Sequence, residues 1–486
     1  MTQIKEVKET VYHQHKISVF NKNPLIRAIS PPLKIEDFVK KIRIDLTIGD
    51  DVQEFDDFDR ELIVELLDTT YIPEPEMFTL YKSIVKSIMV SYLHRNPIKQ
   101  KTDGIHNSIA TDKNYEIPEK INLSSCIACV GLSGGGKTVS IEKCFSLLDQ
   151  VIQHNGYEGQ YLNKKQIVYL KFEAPATKTK KGFILNFLAA VDEVLALPAG
   201  EGYYDEWKTD KSNIAVLIQE AKKIAYSHSI GIVFIDEIQR CVNEDDKIDK
   251  ATLSFIDNFF NSIGIPMVVA GTYAVQPLFR TTMSTARRLS SGRVFEFDGV
   301  KKNIIDSDND KVCVPNPYFD VFVNSFYKPF LLKNDFKFDD NIKESLFYYS
   351  QGIQKLLVRL IKFSYEEAIN SGIEKITPEL IQDVYFDQFK LLHPALDALR
   401  EGKYGGYEDL IKLITWSDNT PQLVDSVIAK CTKSNSSALP EMHDDGITIQ
   451  VPAAKSTFIP KDDLRNLSGK AKEDYAERFL GKSNGL

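Results

Sequence analysis

Cysteine, histidine and tryptophan are scarce in this 486-residue chain, at six, eight and two residues. Six cysteines (Cys126, Cys129, Cys144, Cys241, Cys313 and Cys431) are too few and too scattered for a disulfide scaffold. Their sparseness suits a reducing cytoplasm. The lone C-x-x-C of Cys126 and Cys129 lies on an apolar run with no second ligand pair nearby, so it reads as structural. The histidines show no metal-ligand spacing. No apolar stretch approaches the ~20 residues needed to cross a bilayer, so no membrane partner is expected. The opening MTQIKEVKETVYHQHK lacks the apolar core of a signal peptide. There is also no excess of positive charge. Lys plus Arg is 60 against 68 Asp plus Glu, a net charge of −8. That excludes a general electrostatic grip on nucleic acid, so any DNA contact must come from a local basic surface. No internal repeat is evident.

What is present is an ordinary globular composition, 43% hydrophobic and 26% charged, in a length that holds about three domains. Residues 50–68 are acidic and read as a solvated face. Residues 76–93 carry apolar positions at helical spacing (Met77, Leu80, Ile84, Ile88, Met89, Tyr92), and His94-Arg95-Asn96-Pro97 ends the helix. From about 120 the pattern alternates. Strands are expected at Cys126–Val130, Gln166–Phe172, Gly231–Ile235 and Pro266–Ala270. Helices are expected at 137–153, Gly182–Leu197, Asn213–His228 and 250–263. Such alternation specifies an α/β fold, a parallel sheet covered by helices on both faces. Residues 318–400 are helical in pattern, with Thr377-Pro378 a helix start. Residues 432–446 read as a linker, and the remainder as a tail that orders on a partner.

The segment Gly131-Leu-Ser133-Gly134-Gly135-Gly136-Lys137-Thr138 satisfies G-x-x-x-x-G-K-[ST]. Its glycines let backbone N–H groups wrap phosphates at a helix N-terminus. Lys137 would reach the β and γ phosphates, and the Thr138 hydroxyl would ligate Mg²⁺. Gly231-Ile-Val-Phe-Ile-Asp236-Glu237 is an apolar strand ending in two acids. Asp236 would hold the metal and Glu237 would act as general base on water, a pairing that favours ATP hydrolysis over phosphotransfer. Thr272 ends the next strand and would hydrogen-bond the attacking water; the alternative is a plain strand-ending threonine. Arg280, Arg287 and Arg288 follow. Arg287 or Arg288 suits an arginine finger offered to a neighbouring copy, and a solvated basic turn is the alternative.

Strand, phosphate loop, Asp-Glu pair, terminal threonine and Arg-Arg, followed by a helical region, together resemble an AAA+ ATPase of the initiator-like clade. Closer strings resemble the TnsC-type regulators of TnsABCD transposons: Asn23 to Leu33, Arg95-Asn96-Pro97, Gln166 to Lys171, Asp236 to Gln239, Ile263 to Pro266, Ala286 to Arg288, Gln351-Gly352 and His393 to Arg400. The resemblance runs from about residue 20 to 410. In the tail, Asp462-Asp463-Leu464-Arg465 is the best fragment. It implies an N-terminal extension (1–115) facing a target-selector protein or DNA, an AAA+ core (116–300), a helical lid (301–410), and a linker and tail (411–486) touching the transposase. It implies ATP and Mg²⁺ as cofactors and a homo-oligomeric ring or spiral around double-stranded DNA. DDE-type and endonuclease-type transposase subunits are the implied partners, and hydrolysis would drive disassembly. Where such lids carry an arginine, this chain has Lys355, a point charge rather than a bidentate fork. Two rival functions share the same ATP residues: an initiator-like loader, and a signalling NTPase scaffold without a DNA role.

The best local basic surface is Lys171 to Lys181. Lys171, Lys178, Lys180 and Lys181 stand against one Glu, with Thr177 beside them. Lysines, a hydroxyl and helix N-terminal amides suit phosphate contact without base reading; an exposed lysine loop is the alternative.

Overall fold

The computed structural model describes residues 10–48, 52–93, 95–98, 125–177, 179–209, 213–241, 255–256, 259, 264–273, 292–305 and 313–400, with the short pairs 443–444 and 447–448. They fall into two compact units, each discontinuous in sequence. Residues 1–33, 76–130 and 137–296 form the first; 34–75, 131–136 and 297–486 form the second.

Among the described residues the α-helices are α1 (Pro24–Arg27), α2 (Ile35–Ile42), α3 (Asp57–Glu65), α4 (Met77–Tyr92), α5 (Lys137–Phe145), α6 (Lys180–Leu195), α7 (Tyr203–Lys208) and α8 (Ile214–Ser227), then α9 (Pro317–Ser325), α10 (Asp340–Ser350), α11 (Gln354–Asn370), α12 (Pro378–Gln388) and α13 (His393–Arg400). The strands up to residue 300 are β1 (Cys126–Gly131), β2 (Val151–His154), β3 (Lys164–Ile167), β4 (Tyr169–Glu173), β5 (Ile232–Asp236), β6 (Met267–Gly271) and β7 (Val294–Phe297).

The first unit is organised by a five-stranded sheet in the order β4-β5-β6-β1-β7. The pairs β4/β5, β5/β6 and β6/β1 are parallel. Every residue of β1 and β6 is buried, as are the first four of β5. Their unbroken apolar runs are what two-sided burial requires, and each buried aliphatic contributes roughly 1.5–3 kcal/mol. Helix α4 runs as its spacing predicts, burying Leu80, Ile84 and Ile88. Its end is tied to the start of β5. Tyr92 Oη donates to the Ser229 carbonyl at 2.7 Å, and the buried Arg95 Nη1 donates to the Ile230 carbonyl at 2.6 Å. On the β4 side, Phe172 meets Phe183 edge-on at 5.2 Å, and Phe187 meets Phe259 at 5.8 Å.

Two expected elements divide. The helix predicted over 137–153 stops at Phe145, and Val151–His154 pairs antiparallel with Lys164–Ile167. The β-branched Val151 and Ile152 favour the ladder. The ladder is locked by a buried His154 ring, whose Nε2 bonds Gln166 Oε1 at 2.8 Å while Nδ1 meets Tyr12 Oη at 2.8 Å. The strand predicted over 166–172 is consequently two, β3 facing β2 and β4 facing β5. Strand β7 has no counterpart in the sequence reading. The helix expected over 250–263 lies largely outside the described residues.

The second unit is helical. Thr377 caps α12, accepting from the Leu380 N–H at 3.2 Å, with Pro378 at the first turn as expected. Tyr365 of α11 is fully buried and donates to the Phe326 carbonyl at 3.1 Å. Helix α3, from the acidic stretch, is fastened to this bundle by charge. Arg60 is fully buried and forks onto Glu374 with two 2.8 Å contacts. Lys362 of α11 reaches Glu65 and Asp68 at 2.8 and 2.6 Å. Among the described residues no helix is long and apolar enough to cross a membrane.

Candidate nucleotide site

The parallel strands set the site, because their carboxyl ends emerge at one sheet edge. In the register, Val130 lies beside Gly271, and Ile235 beside Val269. Asp236 at the end of β5 and Thr272 just past β6 therefore share that edge with the end of β1, and such edges are where open α/β sheets bind ligands.

Gly131, Ser133, Gly134, Gly135 and Gly136 form the loop that opens α5 at Lys137. Gly134 and Gly136 have φ of +80° and +89°, a region L side chains rarely adopt. A Cβ on Gly135 would lie 2.2 Å from the Phe297 carbonyl oxygen, so the loop has no room for side chains there. Ser133 is exposed, while Lys137 is buried at 9%. The Gly134 carbonyl accepts from the Lys355 N–H at 3.1 Å, which brings Lys355 to the loop.

Thr138 Oγ1 donates to Asp236 Oδ2 at 2.7 Å. The two residues assigned to the metal are thus in direct contact, and hydroxyl plus carboxylate is a hard-oxygen pair that fits Mg²⁺. Among the described residues no cluster of three or more His, Cys, Asp or Glu could hold a metal. Glu237 follows with φ +54°, a left-handed backbone that costs of order 1 kcal/mol or more in a non-glycine residue. Its N–H donates to Asp236 Oδ1 at 2.8 Å.

The sequence reading quoted Gln239 only as the end of the string Asp236 to Gln239 and gave it no role. Its Nε2 donates to Glu237 Oε2 at 2.6 Å, and its Oε1 accepts from the Thr272 N–H at 3.3 Å. One amide thus spans the acid and the strand-end threonine. Thr272 is buried, and its Oγ1 has no hydrogen-bond partner among the described residues. Gln239 lies in the short 3-10 turn Ile238–Cys241 that follows β5, and the signal for it was its position two residues after Glu237.

A sequence profile of the AAA domain matches residues 121–279. The segment is an AAA domain on an α/β P-loop fold. Solved structures similar to the chain include the Walker-type ATPase PABY2304 of Pyrococcus abyssi, at 11% identity over 69% of this chain and 91% of that one, TM-score 0.36. Cdc6p from Pyrobaculum aerophilum is similar at 12% identity over 60% and 70%, TM-score 0.34. The RuvB Holliday junction branch migration motor of Thermotoga maritima is similar at 13% identity over 68% and 81%, TM-score 0.30. A search of curated proteins finds no match.

Of the remaining predicted residues, Arg280, Arg287, Arg288 and Lys178 lie outside the described residues, as do the linker and most of the tail. Lys171 pairs with Glu142 at 2.7 Å, both half-exposed, an arrangement worth little energetically. Thr177 is exposed, and its hydroxyl meets Thr179 at 3.3 Å. Thr179 caps α6 through the Gly182 N–H at 3.0 Å, placing Lys180 and Lys181 in the first turn. Cys126 and Cys129 are buried in β1, where burial pushes the Cys129 thiol pKa well up.

Proposed function

We propose that the chain is an ATP-dependent DNA-binding regulator of transposition. It would oligomerise on duplex DNA, link a target selector to the transposase, and disassemble on ATP hydrolysis. The observation that carries the ATPase part is the 2.7 Å contact of Thr138 with Asp236 beside Glu237. The transposition part is supported by the resemblance of the strings from Asn23 to Arg400 to TnsC-type regulators.

In the proposed chemistry, loop N–H groups and Lys137 bind the β and γ phosphates and orient the γ phosphorus. Thr138 and Asp236 would hold Mg²⁺, which when bound would supply neutralisation of phosphate charge. Glu237 takes the proton of the attacking water as its oxygen bonds the γ phosphorus and the β–γ bridge breaks, leaving ADP and phosphate. Thr272 is suited to orient that water, since a buried unpaired hydroxyl costs about 1–3 kcal/mol unless a ligand or water uses it. Arg287 or Arg288 of an adjacent copy completes the site. Lys171, Thr177, Lys178, Lys180 and Lys181 contact DNA phosphates. Lysines in the first turn of a helix oppose its dipole, so an anion there would relieve them.

The test is electron microscopy of the protein with duplex DNA and a non-hydrolysable ATP analogue. Rings or spirals threaded by DNA are expected. A chain that remains single with nucleotide, magnesium and duplex together would sink the assembly reading, while steady ATP turnover under those conditions would leave the hydrolase standing.

A further inference from the structure

Helix α3 is apolar on two sides. Ile63, Val64 and, just beyond its end, Leu67 face inward and are buried. Phe58, Leu62 and Leu66 are 66%, 50% and 45% exposed, and Phe55 precedes them at 43%. Positions 58, 62 and 66 fall on one helical face, so these residues make an outer stripe, which Phe55 precedes in the chain.

Rolling the helix does not bury the stripe. Arg60, on the inner side, is held by Glu374 and by the Leu331 carbonyl at 3.0 Å, and Lys362 pins Glu65 and Asp68 from α11. Rotation would break both attachments. The stripe is therefore presented on a rigid element. Its rim is acidic: Glu54, Asp56, Asp59 and Glu61 border it, in addition to the paired Asp57, Glu65 and Asp68.

We propose that the outer face of α3 is a docking surface for a partner protein, which supplies an amphipathic segment with apolar side chains flanked by lysine or arginine. The rim decides among occupants. Nucleic acid and anionic lipid are repelled by it. A second copy meeting the same face would set acid against acid. A basic amphipathic segment satisfies stripe and rim together, apolar contact giving affinity and charge giving orientation. This surface is independent of the nucleotide site, so it stands or falls separately from the proposed function.

The experiment uses the full chain and two fluorescent peptides, one an amphipathic helix with a leucine stripe and lysine flanks, the other its glutamate-flanked twin. The lysine peptide should bind, the twin should not. Phe58→Ser with Leu62→Ser should weaken the lysine peptide by about tenfold or more, as expected for central apolar anchors. Asp59→Lys with Glu61→Lys should weaken it separately. All four positions are at least partly exposed, so the thermal unfolding of both variants should match that of the parent. Lysine-peptide affinity unchanged by the serine pair overturns the proposal. So does sedimentation showing self-association that the serine pair abolishes, which would make the occupant a second copy.

Discussion

The sheet unit gathers its candidate site residues at strand ends, whereas the helical unit locks pairs of opposite charges into its interior. In the first, β1, β5 and β6 are apolar along their length, and polarity begins where the parallel strands end, at Lys137, Thr138, Asp236, Glu237 and Thr272. In the second, charge goes into the interior. Arg60 is fully buried against Glu374, and Lys362 is 6% exposed between two acids. At the edge, Asp236 and Glu237 are bonded by neutral groups, the Thr138 hydroxyl and the Gln239 amide; the interior charges are matched by opposite ones. An acid in the sequence therefore marks a site more surely when the fold sets no opposite charge against it.

The sharpest way to test that contrast is to remove one charge of each kind. Glu237→Gln should lower kcat for ATP hydrolysis by about 10²–10⁴-fold while nucleotide binding and thermal unfolding hold. Phosphate release with a nucleotide-binding assay reads it, and normal turnover would remove Glu237 as the base. Arg60→Met should instead cost up to about 3–5 kcal/mol of stability, because buried Glu374 loses its bidentate partner and keeps only the half-exposed Lys333, at 3.4 Å. Adding Glu374→Leu should recover most of it. Denaturant unfolding decides the matter: a double variant as unstable as the single would mean the pair does more than neutralise itself.

The sequence was most readable where one physical constraint acts alone. Two-sided burial forces unbroken apolar runs, so β1, β5 and β6 stood out, and the phosphate loop could be recognised because only glycine tolerates the backbone at Gly134 and Gly136. Residue 153 was misread because Val151–His154 owes its strand character to a partner across the hairpin and to a buried histidine contact with Tyr12, more than 140 residues away in sequence. Long-range pairing leaves no local period. The acidic stretch read as a solvated face for a similar reason. Its acids do face water, but Arg60 and the alternation of inner and outer apolar residues made it a fastened helix. Nor did composition mark how the first hundred residues are shared between two units.

A smaller effect probes the edge itself. If Gln239 positions Glu237 through its amide, Gln239→Leu should lower kcat by about tenfold, a cost typical of lost orientation, with KM little changed. Gln239→Glu should set a carboxylate against Glu237 and push the Glu237 pKa up, moving the acid limb of the pH–rate profile to higher pH. An unshifted profile with a reduced rate would make Gln239 merely structural.

The smallest effect lies in the helical unit, where one acid does retain its proton unusually far. Burial, reinforced by Glu65 and Glu61 and opposed by Lys362, pushes the Glu366 carboxyl from its ordinary 4.5 up to about 7. The folded state therefore binds more protons than the unfolded one between those values. The contribution of Glu366 to stability is complete below the unfolded value and is lost as pH rises through the folded one. Glu366→Gln fixes the side chain in a neutral form, so it should raise the unfolding temperature by a few degrees at pH 8 and hardly at all near pH 4. An equal change at both pH values would mean that size or packing, not charge, governs this position, and that the interior of this unit tolerates the ionised acid after all.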